Sequence, residues 1–579
     1  MTGMIVRQCP HQGAQNITRT DPGHLRTSRS KFDDVTSRGI LANSKKPLHF
    51  PHFGCSPNLS AGTRFTAPQV PHRNRIVASL TCAPFVVYHP ELTCNFTRNP
   101  YKNNSPAARF EPWLCSMINL YDMPGIIRNR DSDVTIGNLW SNIYQLSWPM
   151  FLIMVFNFFV GLTDIYVAGL ISPEVQAAVG FVGQLYFLTI IVANAISIGS
   201  LALVSRAIGA GDATNAVETA RQSLIFSCIV AVLLTAVGFF FYREIISVSG
   251  FPLKIREISE HFFRIFALSL GPNYILIVSN AIFRASGEVK KPLLTMLLVS
   301  CINIIGDFVL VFGAFTFPGM GYIGIAVSTT VSMAAGMVIT LGFFRYGRWK
   351  TIYSGPWAIV TDAIRRIFRL GWPAAMLQIA WNAGSIVLYT ILGRLKEENV
   401  IALAAITNGL RIEAIIYLPA FALNMAASVL IGQNLGANNA GRAEKLGWNI
   451  ALTGVVLMSS MAIIIFLWAK SLASVLTTNA AVLEETTRYL RINMASEPFM
   501  ALSVVLAGSL QGAGDTKGTM WIIIFAMWFI RLPLAYFLAV VMDYGAAGVW
   551  TAMVVSMTVQ GILMALRFHK GSWKTLQLG

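Results

Sequence analysis

From residue 144 onward the chain is a succession of twelve almost uncharged runs of about 20 residues, separated by short polar connectors. Nothing else in the sequence restricts the fold as much. A run of that length crosses a hydrocarbon core of roughly 30 Å at about 1.5 Å per residue. In lipid every backbone polar group must be satisfied internally, which leaves only helices or a closed barrel. Alternating strands of about ten residues are absent, so the runs, from roughly 144–171 to roughly 545–567, read as helices. Composition agrees: 54% of residues are hydrophobic and 12% charged, against about 25% charged in a soluble domain. The expected fold class is an all-α integral membrane protein with twelve transmembrane helices.

The net charge of +17 invites a nucleic-acid reading, but the positions of the basic residues argue for topology instead. Residues 123–579 hold 30 Lys and Arg against 21 Asp and Glu. With the N-terminus inside, 19 of the basic residues fall on the inner side and 9 on the outer, with Arg411 and Arg531 inside spans. The central loop alone carries Arg345, Arg348, Lys350, Arg365, Arg366 and Arg369. This is the positive-inside asymmetry. It predicts a multi-pass protein of the plasma (inner) membrane with both termini cytoplasmic and no nucleic-acid partner.

The run pattern is written twice. "AIFRASGEVKK" at 281–291 returns as "GSLQGAGDTKG" at 508–518, and "RAIGAGDA" at 206–213 returns as "QNLGANNA" at 433–440, both 227 residues later. "LSWP" at 146–149 returns as "LGWP" at 370–373, and "GIAVSTTVS" at 324–332 aligns with "GVWTAMVVS" at 548–556, both at an offset of 224. Each half holds six spans. Six is even, so the halves enter and leave on the same side and are related by a pseudo-twofold along the membrane normal. The domains expected are an N-terminal six-helix lobe over 123–343, a basic cytoplasmic loop over 344–369, and a C-terminal six-helix lobe with a short tail over 370–579. The glycine-bearing "GAG" and "GAN" follow spans two and eight, where a sharp helix exit needs positive φ, and "RASGE" and "QGAGD" do the same after spans four and ten. A phosphate cradle is disfavoured, since no strand precedes them and no Gly-Lys-Ser/Thr follows.

Residues 1–122 are of another kind. They carry 12 of the 24 prolines, 6 of the 8 histidines and 5 of the 7 cysteines, and one of the 13 tryptophans. They read as a non-membrane extension: either an overextended start ahead of a short cytoplasmic lead at Met123, or a disordered or targeting tail. No Cys-x-x-Cys occurs.

A few ionisable groups lie inside the apolar runs: Asp164, Asp307, Arg411, Glu413 and Arg531, with Glu497 near a helix end. Intramembrane charges are costly, so each is a functional candidate by default. Asn303 and Asp307 are four apart and share a helix face. The repeat-equivalent places of Asp164 and Asp307 hold Leu388 and Pro533, so the halves match in framework and differ in charge. Carboxylate and amide oxygens are hard donors suited to Na⁺ or H⁺. Arg411 and Glu413, two apart, could neutralise one another or face Arg531, which would make them structural. An enzyme reading finds little support: no HExxH occurs, and only His261 and His569 follow residue 122.

The ordered set "SNAIFRASGEVKKPL…INIIGDFVLVFG…GYIGIAVSTTVS" and, in the second half, "GLRIEAIIYLPAFALNMAASVLIGQNLGANN" and "LAGSLQGAGDTKG" resembles the multidrug and toxic compound extrusion (MATE) family over about residues 130–570. The resemblance implies two six-helix lobes around a V-shaped cleft and export of organic cations in exchange for Na⁺ or H⁺, by alternating access. It implies a first-lobe cation site of Asp164, Asn303 and Asp307, binding Na⁺ if sodium is the coupling ion, with Asn280 and Thr329 or Thr330 as further polar ligands. Some branches carry an acid in the seventh span, where this chain has Trp381 or Asn382. The acid that such branches place in the tenth span falls near Met500, one turn from Glu497. Glu413, Arg411, Glu497 and Asn382 are therefore the second-lobe candidates for substrate contact. The expected partners are small organic cations and membrane lipids, the chain acting as a monomer with no cofactor beyond its coupling ion. The competing readings are a flippase of lipid-linked precursors from the same superfamily, and a channel or receptor.

Overall fold

The computed structural model describes residues 134–248, 250–313, 318–395 and 399–578; the extension expected over 1–122 lies outside them. Among the described residues there are no strands, and twelve helices are long and apolar enough to cross a membrane. In chain order these are α1 (Leu139–Ile171), α2 (Pro173–Gly209), α3 (Ala213–Phe240), α4 (Leu253–Ala285), α5 (Lys290–Phe312) and α6 (Tyr322–Tyr346). The second set is α7 (Thr361–Gly393), α8 (Asn399–Gly436), α9 (Ala440–Leu467), α10 (Ala480–Gly512), α11 (Thr516–Val541) and α12 (Gly545–Lys570). Large apolar side chains such as Phe240, Trp521 and Phe529 stand on the outside. That surface suits lipid, where water would penalise it.

The repeat is preserved down to single torsions. Gly211 and Asn438, 227 apart, both have positive φ after α2 and α8, and Gly287 and Gly514 repeat the device after α4 and α10. The Asp212 side chain caps α3 by accepting from the Asn215 amide, and Asn439 caps α9 by accepting from Arg442. A 3₁₀ turn interrupts α4 at Ala267–Ser269 and α10 at Met494–Ser496. Pro149 and Pro373 sit inside α1 and α7. These matches place turn chemistry, caps and helix breaks in register, so the two lobes fold by the same local rules.

Packing distinguishes the two ends of the bundle. One continuous apolar core joins Ile143, Leu146 and Met150 of α1 to Leu423, Ala426 and Leu430 of α8. At the same end the exits of α2 and α8 cross so closely that a Cβ at Gly209 would overlap the Gln433 carbonyl, and one at Gly436 would overlap that of Arg206. Gln433 Nε2 donates to the Ala285 carbonyl (2.6 Å), and Asn434 Nδ2 to that of Val134 (3.4 Å). Towards the other end the core splits. One cluster, around Val179, Phe262 and Ile325, belongs to the first lobe, and another, around Ile406, Tyr489 and Trp550, to the second. The lobes are thus sealed at the end bearing the inter-lobe loop.

That loop is strapped to the first lobe. Arg221 of α3, itself paired with Glu218, donates to the carbonyls of Ile352 (2.9 Å) and Thr351 (3.2 Å). Gln222 brackets the next stretch, donating to the Ala358 carbonyl (2.8 Å) and accepting from the Val360 amide (3.0 Å).

Candidate functional site

Asn303 and Asp307 sit on the buried face of α5, both fully inaccessible. Gly306 between them lets α6 approach, since a Cβ there would press on the Ser328 hydroxyl. The gap is bridged by polar contacts: Ser328 Oγ donates to the Asn303 carbonyl (2.8 Å), and Asn303 Nδ2 donates to Thr329 Oγ1 (3.2 Å). Thr330 is turned away and donates to Ala326 on its own helix. Asp164 of α1, half-buried, reaches both Asp307 and Asn303 with its carboxylate.

Four acceptor atoms of this set have no protein donor: Asp307 Oδ1 and Oδ2, Asp164 Oδ1 and Asn303 Oδ1. A buried acceptor without a partner is costly. Two carboxylates facing each other out of water need positive charge between them, either a shared proton or a small hard cation. Among the described residues no three His, Cys, Asp or Glu side chains converge, so the donor set is two carboxylates plus neutral oxygens. That chemistry fits Na⁺ or H⁺ and is poor for soft metals.

Asn280 does not join this set. It lies five residues before the end of α4, whereas Asp307 lies seventeen residues into the antiparallel α5. At about 1.5 Å per residue the two are separated along the bundle by roughly 18 Å. The α4 residue nearer the acids is Asn273, whose Nδ2 donates to Tyr186 Oη (2.8 Å), which also accepts from Ser269 (3.1 Å). Tyr186 in turn is close enough to Asp164 to interact with it through space.

The second lobe holds its own buried polar cluster. Glu413 of α8 and Glu497 of α10 are 2% and 3% exposed and near enough to repel one another. Tyr417 Oη donates to Glu413 Oε2 (3.3 Å). Glu413 Oε1 and Glu497 Oε2 have no protein donor. The balancing charge is Arg531 of α11, which lies over the Trp381 ring (5.0 Å) and donates from Nε to Ser556 Oγ (2.8 Å). Arg531 closes a π-helical segment, Phe525–Arg531, just ahead of Pro533, and the altered helical phase carries it inward. Arg411 does not pair with Glu413: it is exposed while Glu413 is buried, because residues two apart on a helix point to different faces. Asn382 donates to Gln378 on its own helix (2.8 Å) and stands outside the cluster. Sequence reasoning missed Tyr186, Asn273 and Tyr417. The available signal was that each is a polar group inside an apolar run.

The MatE family model matches residues 149–309 and 373–537, one stretch in each lobe. The chain is 23% identical over 433 residues to "Uncharacterized transporter YisQ" of Bacillus subtilis, covering 75% of this chain and 94% of the relative. It is 26% identical over 450 residues to "Probable multidrug resistance protein NorM" of Thermotoga maritima, covering 76% and 94%. Among solved structures, "Outward-facing conformation of a multidrug resistance MATE family transporter of the MOP superfamily" superposes with a TM-score of 0.70 at 22% identity, over 76% of this chain and 98% of that one. The duplicated six-helix lobes, the ordered motifs and a match running through both halves lead to one assignment: the chain belongs to the MatE family of multidrug efflux transporters.

Proposed function

We propose that this chain is a secondary active antiporter that exports amphipathic, cationic organic compounds in exchange for Na⁺ or H⁺. The observation that carries the reading is the first-lobe acid pair, with both Asp307 oxygens buried and undonated beside Asp164 and Asn303. A group that binds a cation in one state and releases it in another needs such a site: negative, part-way to solvent through Asp164, and short of permanent donors.

The coupling argument follows from linkage. A cation shifts the equilibrium between two arrangements of the lobes only by its difference in affinity for them. The core is continuous at the loop end and divided at the other, so this arrangement offers the cleft to the side opposite the loop. By the positive-inside rule that side is the exterior, and a cation arriving from outside would meet Asp164 first. The acidic first lobe favours a cationic cargo, and Trp381 and Tyr417 at the second-lobe cluster supply aromatic faces for it.

The test is export of a fluorescent organic cation from cells or proteoliposomes under an imposed Na⁺ or H⁺ gradient, in Na⁺-free against Na⁺ buffer at fixed pH. Export driven by one of the two gradients, and lost in Asp307→Asn, is the expected result. Export indifferent to both gradients would overturn the reading.

A further inference from the structure

A groove of about 350 Å³ runs along the outer surface between α3 and α4, lined by Val232, Thr235 and Phe239 of the one and Leu268 and Gly271 of the other. Its upper end is charged. Arg264 lies over the Phe239 ring (4.8 Å) and the Tyr242 ring (5.5 Å), and Arg243 also lies over Tyr242 (5.6 Å). Both arginines are exposed, and among the described residues neither has an ion pair. Glu260, one turn from Arg264, is held by Arg256 Nε (2.8 Å).

The depths match a lipid. The α4 stretch from Ile265 to Phe283 is uncharged and spans about 28 Å, close to the hydrocarbon thickness. Arg264 therefore stands at the hydrocarbon boundary, where lipid phosphates lie. Arg243 follows the apolar stretch of α3 and opens the short helix Tyr242–Ser247 at the same boundary. Gly271 is seven residues past Arg264, about 10 Å deeper. A Cβ there would find only Thr235 Oγ1 at 3.9 Å, so the floor of the groove is open.

We propose that this groove seats one acyl chain of an anionic phospholipid, with its phosphate between Arg243 and Arg264. The aromatic rings hold the guanidinium groups in place without neutralising them, which leaves their N–H groups for the phosphate oxygens. A neutral-headgroup lipid would share the groove contacts, but its cationic headgroup would work against the two arginines.

The experiment uses the full chain, purified and exchanged into detergent with defined phosphatidylglycerol or phosphatidylcholine, and retained lipid is counted by native mass spectrometry. Wild type should retain phosphatidylglycerol over phosphatidylcholine by about thirtyfold, from two arginines at the interface. The pair Arg243→Gln/Arg264→Gln should abolish that preference. Filling the groove with Gly271→Leu, or with Thr235→Leu from the facing helix, should release both lipids although the arginines remain. The second filler guards against misfolding of the first. Unchanged retention in either class of variant overturns the proposal. If only the arginine pair matters, headgroups gather without a seated chain; if only the fillers matter, the site ignores charge.

Discussion

The two lobes share a backbone plan but differ in how they treat buried charge. In the first, two carboxylates from α1 and α5 face each other with no basic side chain among them. In the second, two carboxylates from α8 and α10 are accompanied by a guanidinium from α11. One repeat-equivalent pair shows the divergence directly. Tyr186 and Glu413 lie 227 apart: the tyrosine is satisfied by Asn273 and Ser269, whereas the glutamate takes its balancing charge from Arg531. The first-lobe acid pair has no fixed positive charge beside it. The second carries its own cation covalently. Duplication conserved the caps, breaks and turns, and left the buried polar atoms free to specialise.

The sharpest way to break this comparison is in the first lobe. Asp307→Asn keeps shape and hydrogen-bonding capacity and removes the charge, so the protein should fold while coupled export falls by about a hundredfold, near the upper range for a coupling free energy. Asp164→Asn should act alike, and the double variant should be scarcely worse than either single one because one site serves both. Gradient-driven export in proteoliposomes reads this out; wild-type rates in both single variants would make the acids structural.

In the second lobe the same kind of change should strike stability first. Arg531→Met leaves Glu413 and Glu497 buried without their cation, and should cost about 3 kcal/mol in unfolding measurements. Adding Glu413→Gln should restore part of that. A variant as stable as wild type would dissolve the contrast between a lobe that recruits its cation and one that owns it.

At the sealed end, Gly436→Val forces a side chain into the Arg206 carbonyl. Overpacking of this kind costs about 2 kcal/mol, and here it falls on the arrangement closed at the loop end. Cysteines placed on facing positions of α2 and α8 should become more reactive to water-soluble maleimide. Reactivity equal to wild type would mean that the crossing yields without opening. The smallest effect belongs to Tyr186→Phe, which removes one hydroxyl from Asn273 and Ser269 and should cost about 1 kcal/mol of stability, with gradient coupling kept. Loss of coupling would draw Tyr186 into the cation site.

The plan was legible because it rests on local rules. Gly211 and Asn438, or Asp212 and Asn439, announce a helix exit and the next start from residue type alone, and their spacing gives the repeat. Asn303 and Asp307 were legible as a pair because four residues bring side chains to one helix face. Their meeting with Asp164, on another helix, followed only from family resemblance. Where the depth along a helix decides, a motif misleads: Asn280 stands in the right helix at the wrong level, and Asn273 and Tyr186 occupy the level that matters. Arg411 and Glu413 looked like partners by proximity in sequence and were separated by helical phase. Arg531 reaches the acids through a π-helical stretch, which no period-3.6 reading anticipates.

The loop between the lobes carries little slack. Here Arg221 and Gln222 fasten it to α3 as far as Val360, and α7 begins at Thr361. The loop is thus part of the first lobe's frame over most of its length, like a rope cleated close to its end, and little free chain is left between the strap and α7. Most of the loop's length then adds nothing to the slack of the tether between the lobes. Cutting the strap, as in Arg221→Ala with Gln222→Ala, would lengthen that tether.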